Sequence, residues 1–345
     1  MIPSTDQQWM QLALLEAKKG SGRTAPNPIV GAVIVQQGTL IARGYHTAAG
    51  HPHAEVEALR ALATPEQAAG ATIYVTLEPC STTGKTPPCT TAIIEAGLTR
   101  VVYGATDPNP HHQGRAQQLL EQAGISVTTG VLAKQCTALN AHWNYRMRTG
   151  VPWVIAKCGR SLDGRIASPP DRRWITSPAS RHDAMRLRAK VDAILVGGAT
   201  IRTDNPSLTI RGLRQPKQSL QPWRVVWTHT GNIPSTATIL TDAHRDRTLI
   251  ITGKSLEGTL RELAERGISS VLIEGGGQTL GAAFDQGLVN EVRFYVAPLL
   301  LGGPTPAVGG KGFSFPEGAK VHKISYRTIG DDLVISGLVE KLNRD

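Results

Sequence analysis

Hydrophobic and polar positions in the first 150 residues follow two different periods. Short runs rich in Val, Ile, Leu and Tyr, typical of buried strands, alternate with longer segments in which apolar residues recur with helical spacing. The predicted strands read IVGAVIVQ, TIYVTL, RVVYGA and SVTTGV. The predicted helices cover residues 6–19, segments starting near His53 and near Cys89, residues 116–124 and residues 137–150. This alternation predicts a helix-flanked sheet of the α/β class.

The sequence GVP at residues 150–152 marks a boundary, after which a second α/β alternation begins. The predicted strands of this half read WVIAKCG, AILVGG, RVVWT, TLIIT, SVLIEGG and EVRFYVAP, and its predicted helices read SPASRHDAMRLRAK, LRELAERG and LGAAFDQG. The two halves are not repeats of each other. Because 345 residues are long for one hydrophobic core, we predict two domains, residues 1–149 and 150–345.

Composition narrows the class of protein. Hydrophobic residues make up 40% of the chain and charged residues 19%, which is typical of a packed globular protein. No stretch approaches the roughly 20 apolar residues that a membrane span needs. The N-terminus lacks the basic region of a secretory signal, so we expect a cytoplasmic protein that does not bind a membrane. Four cysteines are too few for a disulfide framework in a chain of this size.

The net charge of +10 is compatible with nucleic acid, anionic lipid or phosphorylated small molecules as partners. Lys and Arg are spread along the chain without forming a run. Charge alone therefore does not choose among these partners.

Two segments of the first half carry candidate metal ligands, HPHAEVEALR at residues 51–60 and TLEPCSTTGKTPPC at residues 76–89. A catalytic zinc ion takes three protein ligands and leaves the fourth position for water. His53, Cys80 and Cys89 supply three ligands, and Glu55 lies on the same helical turn as His53, free to act as an acid or base. This order of residue types is typical of zinc-dependent nucleotide deaminases, although the loop between the cysteines is longer than usual.

Alternatives to a catalytic zinc site remain at this point. Taken singly, each of these residues has an ordinary structural role, such as a core cysteine or a histidine at a helix start. A structural zinc site would need a fourth ligand, for which His46 or His51 is available. Two thiolates and an imidazole favour zinc over other soft-ligand ions.

In the second half, VLIEGGGQTL predicts a strand that ends in a glycine cluster and opens a helix. Free backbone N–H groups at such a helix start suit a phosphate. The alternative is a tight strand-to-helix turn, and the glycines do not form a dinucleotide-binding fingerprint.

The chain resembles the bifunctional deaminase/reductase of riboflavin biosynthesis over nearly its whole length. The first half carries TAPNPIVGAVIV, HPHAEVEALR, TLEPCSTTGKTPPC and DPNP, and the second half carries SLDGRIA, WITS, DNPSLTIR and VLIEGGGQTL, in the order of the family. The resemblance implies a cytidine-deaminase-like three-layer domain followed by a dihydrofolate-reductase-like domain, with zinc and NADPH as cofactors.

The resemblance also implies roles for individual residues. In the deaminase domain, Glu55 would move protons, Asn27 would hold the base of a phosphorylated diamino-pyrimidinone, and Lys85 would reach its phosphate. An Asx turn before a proline is the structural alternative for Asn27. In the reductase domain, the residues implied to hold substrate are Arg188, Arg211 and Glu274, and those implied to hold NADPH are Trp174, Thr200, Asp204, Gly275, Gly276 and Gly277.

Three arginines, Arg160, Arg172 and Arg173, depart from the pattern of the family. They could strengthen contact with a cofactor phosphate or fill the pocket, so a deaminase with an inactive C-terminal module is a second hypothesis. A nucleic-acid deaminase is a third, but it leaves the second domain unexplained. We expect a small phosphorylated pyrimidine as partner, no nucleic acid, and a homo-oligomer, because exposed strand edges favour one.

Overall fold

The computed structural model describes residues 5–83, 87–109, 114–166, 174–213, 221–313 and 318–340. The chain divides into two compact units, Met1–Gly150 and Val151–Asp345. Within the described residues, no helix is both long enough and apolar enough to cross a membrane.

The first unit contains a five-stranded sheet with helices around it. Its strands are β1 (Gly31–Gln36), β2 (Thr39–Tyr45), β3 (Thr72–Leu77), β4 (Arg100–Ala105) and β5 (Ser126–Thr129). Its helices are α1 (Thr5–Lys18), α2 (Ala54–Arg60), α3 (Cys89–Glu95), α4 (Arg115–Gln122), α5 (Ala133–Leu139) and α6 (Ala141–Thr149), with a 3₁₀ turn at Pro65–Ala68. The strand order is β2-β1-β3-β4-β5, with β3, β4 and β5 parallel and β1 antiparallel to both of its neighbours.

Glycines on the strands show which helices cover each face of this sheet. A Cβ on Gly31 would meet the backbone of α1, and a Cβ on Gly104 would meet Cys136 of α5. Gly44 pairs with Ala32, the neighbour of Gly31, and a Cβ there would meet the backbone of α2. Because successive residues of a strand face opposite sides, α1 lies on one face of the sheet and α2 on the other. The unit therefore has three layers.

Two features of this unit differ from the sequence prediction. Strand β2 was not predicted, because its residues are only partly buried and form no strong apolar run. It follows β1 through a tight turn in which Gln37 and Gly38 both have positive φ. The helix predicted over residues 137–150 is wrong as one element, because Asn140 interrupts it with φ −114° and ψ 30° between α5 and α6.

The second unit contains an eight-stranded sheet of order β12-β13-β11-β6-β10-β7-β8-β9. Its strands are β6 (Trp153–Ser161), β7 (Ala193–Gly197), β8 (Trp223–Thr228), β9 (Thr248–Thr252), β10 (Ser270–Ile273), β11 (Glu291–Ala297), β12 (Val321–Ile329) and β13 (Asp332–Val339). Its helices are α7 (Pro178–Arg188), α8 (Gly198–Asp204), α9 (Thr238–Thr241), α10 (Leu256–Glu265) and α11 (Gly277–Asp285), with a 3₁₀ turn at Arg245–Arg247. The strands from β11 to β9 are parallel, and the β12–β13 hairpin extends the sheet in antiparallel fashion.

The sequence prediction missed this hairpin and the helices α8 and α9. Seven consecutive residues of β12 are exposed, so the strand lacks the apolar alternation that marks a half-buried strand. Helix α9 has only four residues, which is too short for a helical period to show.

Candidate active sites

The candidate metal ligands of the first unit lie where a strand and two helices meet. His53 is the N-cap of α2, Cys89 is the first residue of α3, and Cys80 follows the end of β3. The Cys89 backbone N–H donates to Cys80 Sγ at 3.3 Å, and the Thr90 N–H donates to the Cys80 carbonyl at 3.2 Å. The start of α3 thus holds the loop that carries Cys80.

The donor atoms of these residues converge. His53 Nδ1 lies 3.3 Å from Cys89 Sγ and 3.4 Å from Cys80 Sγ. Tetrahedral zinc with ordinary bond lengths separates a sulfur and a nitrogen ligand by about 3.6 Å. The three donor atoms all lie within 4.8 Å of one another, so they fit one zinc ion without rearrangement of the backbone.

The electrostatics of the triad favour a thiolate at Cys80. A hydrogen bond from Cys89, opposed in part by burial and helped by His53, lowers the pKa of Cys80 to about 4. The same interaction raises the pKa of Cys89 well above that of a free thiol. The hydrogen bond to Cys80 also raises the pKa of His53. A thiolate is the form of cysteine that binds zinc, so one ligand is already deprotonated.

Glu55 is buried on the first turn of α2, beside the triad. Burial, followed by the nearby charge of Cys80, raises the pKa of Glu55 to about 7. Among the described residues, the His53 ring is the cationic group that acts to lower this pKa. The carboxyl group is therefore able to exchange a proton near neutral pH.

Asn27 is joined to the triad through His46. Asn27 Nδ2 donates to His46 Nε2 at 3.0 Å, and His46 Nδ1 donates to the Pro52 carbonyl at 3.0 Å. The His46 ring packs edge-to-face on the His53 ring, with 5.5 Å between centroids. Both ring nitrogens of His46 are engaged, and His51 is exposed and outside the cluster of three. Neither histidine is the fourth ligand that a structural zinc site would need.

Glu78, which the sequence analysis did not single out, supports the loop that contains Cys80. Its buried carboxylate accepts from the backbone N–H of Asp107 at 3.1 Å and of Ala116 at 3.3 Å. It therefore ties the end of β3 to the DPNP segment and to the start of α4. Lys85, expected to reach the phosphate, lies outside the described residues.

The second unit contains a buried ion-pair cluster. Arg188, the last residue of α7, donates to both carboxylate oxygens of Glu274, at 2.6 and 2.9 Å. Lys157 Nζ, on β6, lies 3.6 Å from Glu274 Oε2. Burial acts to raise the pKa of Glu274, but the charges of Arg188 and Lys157 outweigh it and lower this pKa to about 2. Lys157 was not predicted from the sequence, because its partner Glu274 follows a strand more than 100 residues later.

Arg211 is exposed and lies two residues beyond Thr209, whose carbonyl accepts a hydrogen bond of 2.8 Å from Arg188. The segment expected to hold substrate is thus connected to the ion-pair cluster.

The residues implied to hold NADPH are only partly brought together. The Gly276 N–H donates to Thr200 Oγ1 at 3.4 Å, which joins the start of α8 to the glycine turn before α11. A Cβ on Gly277 would lie 2.2 Å from the Pro306 carbonyl oxygen, and one on Gly275 would lie 2.9 Å from Thr279. Asp204 is exposed at the far end of α8. The turn requires glycine for space.

Trp174 and Asp163 have contacts of their own. Trp174 is 49% exposed, and the Arg181 guanidinium lies 4.9 Å from the centre of its ring, so it is not a core aromatic. Asp163 caps a loop. Its carboxylate accepts from Ser161 and from the N–H groups of Leu301 and Gly302, and these bonds lower its pKa to about 2.

Of the three arginines that differ from the family pattern, Arg160 is among the described residues. Arg160 lies on β6, and its Nη1 is 3.4 Å from the position of a Cβ on Gly164. Arg160 therefore folds over the adjacent turn. Arg172 and Arg173 lie outside the described residues.

Two family models match the chain, one in each unit. The cytidine and deoxycytidylate deaminase zinc-binding region matches residues 3–105, and the RibD C-terminal domain matches residues 152–335. Together with the candidate metal-binding triad and the ion-pair cluster, they define a two-domain enzyme, a zinc-dependent deaminase joined to an NADPH-dependent reductase.

Known proteins match this chain over nearly its full length. The riboflavin biosynthesis protein RibD of Bacillus amyloliquefaciens is 38% identical over 361 residues, with 96% of each chain covered. A structure of Acinetobacter baumannii RibD superimposes with a TM-score of 0.89 at 36% identity, covering 97% of this chain and 99% of that one. A Thermotoga maritima structure, described as a diaminohydroxyphosphoribosylaminopyrimidine deaminase/5-amino-6-(5-phosphoribosylamino)uracil reductase, has a TM-score of 0.84 at 32% identity, with 97% and 99% covered.

The chain belongs to the RibD family, the bifunctional deaminase/reductases of riboflavin biosynthesis. The predicted fold class, with a cytidine-deaminase-like domain before the reductase domain, is confirmed, as are the two activities and the cofactors zinc and NADPH. The hypotheses of an inactive C-terminal module and of a nucleic-acid deaminase are not needed.

Proposed function

We propose that the first unit deaminates 2,5-diamino-6-ribosylamino-4(3H)-pyrimidinone 5′-phosphate on a zinc ion held by His53, Cys80 and Cys89. The observation that carries this proposal is the convergence of three soft donor atoms next to one buried carboxyl group. Three protein ligands leave a coordination position for water. Bound zinc supplies a Lewis acid that makes water nucleophilic at neutral pH.

Glu55 moves the protons of this reaction. Water adds to the ring carbon that bears the amine, and ammonia leaves from the same carbon. Glu55 accepts one proton from the attacking water and passes it to the ring nitrogen. It then accepts the proton of the added hydroxyl group and passes it to the amine, which leaves as ammonia while the ring carbon becomes a carbonyl. A pKa of about 7 suits both steps, because an acid–base group works best when its pKa is close to the ambient pH.

Asn27 and Lys85 bind the substrate in this proposal. The amide of Asn27 both donates and accepts hydrogen bonds, so it matches the mixed edge of a diamino-pyrimidinone. Its connection to the triad through His46 supports this role. Lys85 is assigned to the phosphate from its place in the sequence between the two cysteines.

In the second unit, we assign Arg188, Arg211 and Glu274 to the ribosyl phosphate product of the first step, which NADPH reduces to a ribityl chain. NADPH would be held by Trp174, Thr200, Asp204 and the Gly275 to Gly277 turn. The exposed Trp174 ring and the close approach of Thr200 to the glycine turn support this assignment. Lys157, whose ammonium group also pairs with the Glu274 carboxylate, belongs to the same cluster.

Two further expectations complete the proposal. We infer a homo-oligomer, since β12 is an edge strand with an exposed face, and a cytoplasmic location, where riboflavin precursors and NADPH would both be available.

The test is an assay of the purified, zinc-loaded chain on the diamino-pyrimidinone substrate, with ammonia and NADPH absorbance followed together. We expect ammonia release without NADPH, and NADPH oxidation only after deamination. Absence of ammonia release from a folded protein with one zinc bound would contradict the assignment of the first unit. Ammonia release without NADPH oxidation would contradict that of the second.

A further inference from the structure

Two residues that are not candidate metal ligands, His46 and Asn140, form hydrogen bonds to Asn27 or to the backbone close to it. We propose that His46 and Asn140 are positioning residues for deamination, His46 through the side chain of Asn27 and Asn140 through the backbone that carries it. This inference rests on the proposed role of Asn27 in holding the base. It assigns a function to the junction between α5 and α6, which lies beyond residues 3–105 matched by the zinc-binding region.

His46 determines which way the amide of Asn27 faces. The Pro52 carbonyl can only accept, so His46 Nδ1 carries the proton in the 3.0 Å bond between them. In the neutral ring this leaves a lone pair on Nε2, which accepts from Asn27 Nδ2. The reversed amide would set two acceptors against each other. His46 is 2% exposed, so water does not compete for either bond.

Asn140 holds the backbone next to Asn27. Its Nδ2 donates to the Ile29 carbonyl at 2.8 Å, and its Oδ1 accepts from the Ile29 N–H at 2.8 Å. These two bonds resemble the backbone pairing between neighbouring strands, and they are made to Ile29, two residues after Asn27. Arg146 of α6 adds a bond of 3.1 Å to the Pro26 carbonyl, on the other side of Asn27.

Asn140 is well suited to this task because it is itself fixed. It is 6% exposed, and its backbone is not helical. Its side chain is therefore not directed as it would be in a continuous helix. Its N–H donates to the Thr137 carbonyl, and its carbonyl accepts from the Asn144 N–H at 2.8 Å. The break between α5 and α6 is thus explained by the two hydrogen bonds it presents to Ile29.

The consequence for the ligand is a defined hydrogen-bonding edge. Asn27 is partly exposed, and its backbone N–H is already used on the Thr24 carbonyl at 2.8 Å. Among the described residues, no protein donor lies within hydrogen-bonding distance of Asn27 Oδ1. Oδ1 remains available to accept an N–H of the pyrimidine, which selects a base that presents a donor at that edge.

The first test compares Asn140→Leu with Asn144→Leu. Both asparagines are buried to a similar extent, but the Asn144 amide bonds to Thr137 and not to the Asn27 segment. We expect kcat/KM for ammonia release to fall about 10- to 100-fold in Asn140→Leu, since displacements of about 1 Å cost that much. Asn144→Leu should stay within about 3-fold. Reductase activity on deaminated substrate and zinc content should be unchanged in both.

The second test uses two substitutions of His46. Glutamine places an amide near the position of Nε2 and keeps an acceptor for Asn27, whereas asparagine places its amide near Nδ1 and keeps only the bond to Pro52. We expect His46→Gln to retain more kcat/KM for ammonia release than His46→Asn, by about 10-fold. Equal loss in the two variants at full zinc content would assign His46 to packing alone.

A double-mutant cycle separates this inference from the proposed function. In an Asn27→Ala background, Asn140→Leu should change kcat/KM by less than about 3-fold, because its effect acts through Asn27. The full Asn140→Leu loss in that background would overturn the inference and leave the proposed function intact. If Asn27→Ala itself has no effect on kcat/KM, the assigned role of Asn27 fails, and the inference fails with it.

Discussion

Glu55 and Glu274 are both buried carboxyl groups at the centre of a site, yet their pKa values are shifted in opposite directions. Burial raises the pKa of Glu55 to about 7, with Cys80 adding to the effect. Burial also acts to raise the pKa of Glu274, but Arg188 and Lys157 reverse this and lower it to about 2. Cationic partners, and not depth of burial, separate the two groups.

The difference matches the two kinds of chemistry. A deaminase needs a group that gains and loses protons during each turnover, and within the part of the chain that the structure describes no Lys or Arg fixes the charge of Glu55. The ion-pair cluster of the second unit keeps Glu274 ionised at neutral pH. The ionised carboxylate fixes the position of the Arg188 guanidinium. In the proposed function, one carboxyl group therefore moves protons, and the other supplies a permanent charge.

The largest expected effect is on catalysis by Glu55. Glu55→Gln removes the proton carrier and preserves the shape, so kcat for ammonia release should fall by about 10³- to 10⁴-fold. Reductase activity on deaminated substrate should be unchanged. The control is Glu57→Gln on the same helical turn, whose carboxylate faces Arg60 at 3.8 Å and is partly exposed. A similar loss in both variants would contradict a proton-transfer role for Glu55.

Two cysteine substitutions, one of them a control, test the metal site. Cys89→Ala should lose most of the bound zinc, measured by metal analysis after gel filtration, together with ammonia release. Cys136→Ala is the matched control, because Cys136 is equally buried but lies on α5 outside the triad. Its zinc content should equal that of the unmodified chain. Full zinc retention in Cys89→Ala would contradict the assigned ligand set.

Removal of the charge on Glu274 should destabilise the second unit. Glu274→Gln leaves the Arg188 guanidinium, whose side chain is 9% exposed, without its counter-charge. Loss of one partner of a buried ion pair costs about 3 to 5 kcal/mol in unfolding free energy. Glu291→Gln, which removes a longer and more exposed pair with Arg293 at 3.7 Å, should cost less than about 1 kcal/mol. Denaturant unfolding of both variants measures the difference.

The smallest effect is a pH dependence. Because the pKa of Glu274 is lowered from 4.5 to about 2, the unfolded chain binds more protons between these values. The stabilisation from Glu274 is complete above pH 4.5 and is lost as pH falls towards 2. It amounts to about 3 kcal/mol. Unfolding between pH 6 and pH 3 should show about 2 kcal/mol of this loss in the unmodified chain, and a shallower slope in Glu274→Gln.

Most strands and the cluster of His53, Glu55, Cys80 and Cys89 were predictable from sequence, because each depends on a short pattern. Apolar runs define the central strands, and the metal motif lies within two segments close in the chain. Lys157 was not predictable in this way, since its contact with Glu274 arises only when β6 and β10 pair.

The same limit applies to His46 and to the edge hairpin. His46 looked like a spare metal ligand, and only the structure shows that Asn27 and Pro52 occupy its two nitrogens. The β12–β13 hairpin escaped prediction because its outer strand buries too little to leave an apolar pattern. Residues whose partners are distant in sequence, and strands that bury little, require the folded structure.

The most direct measurement follows ammonia release and NADPH oxidation in Glu55→Gln and Glu274→Gln side by side, each supplied with the diamino-pyrimidinone and with its deaminated product. We predict that Glu55→Gln loses ammonia release and still oxidises NADPH on the deaminated product. We predict that Glu274→Gln retains ammonia release and loses NADPH oxidation. Loss of both activities in either folded variant, or ammonia release that survives in Glu55→Gln, would contradict the assignment of the two carboxyl groups to separate reactions.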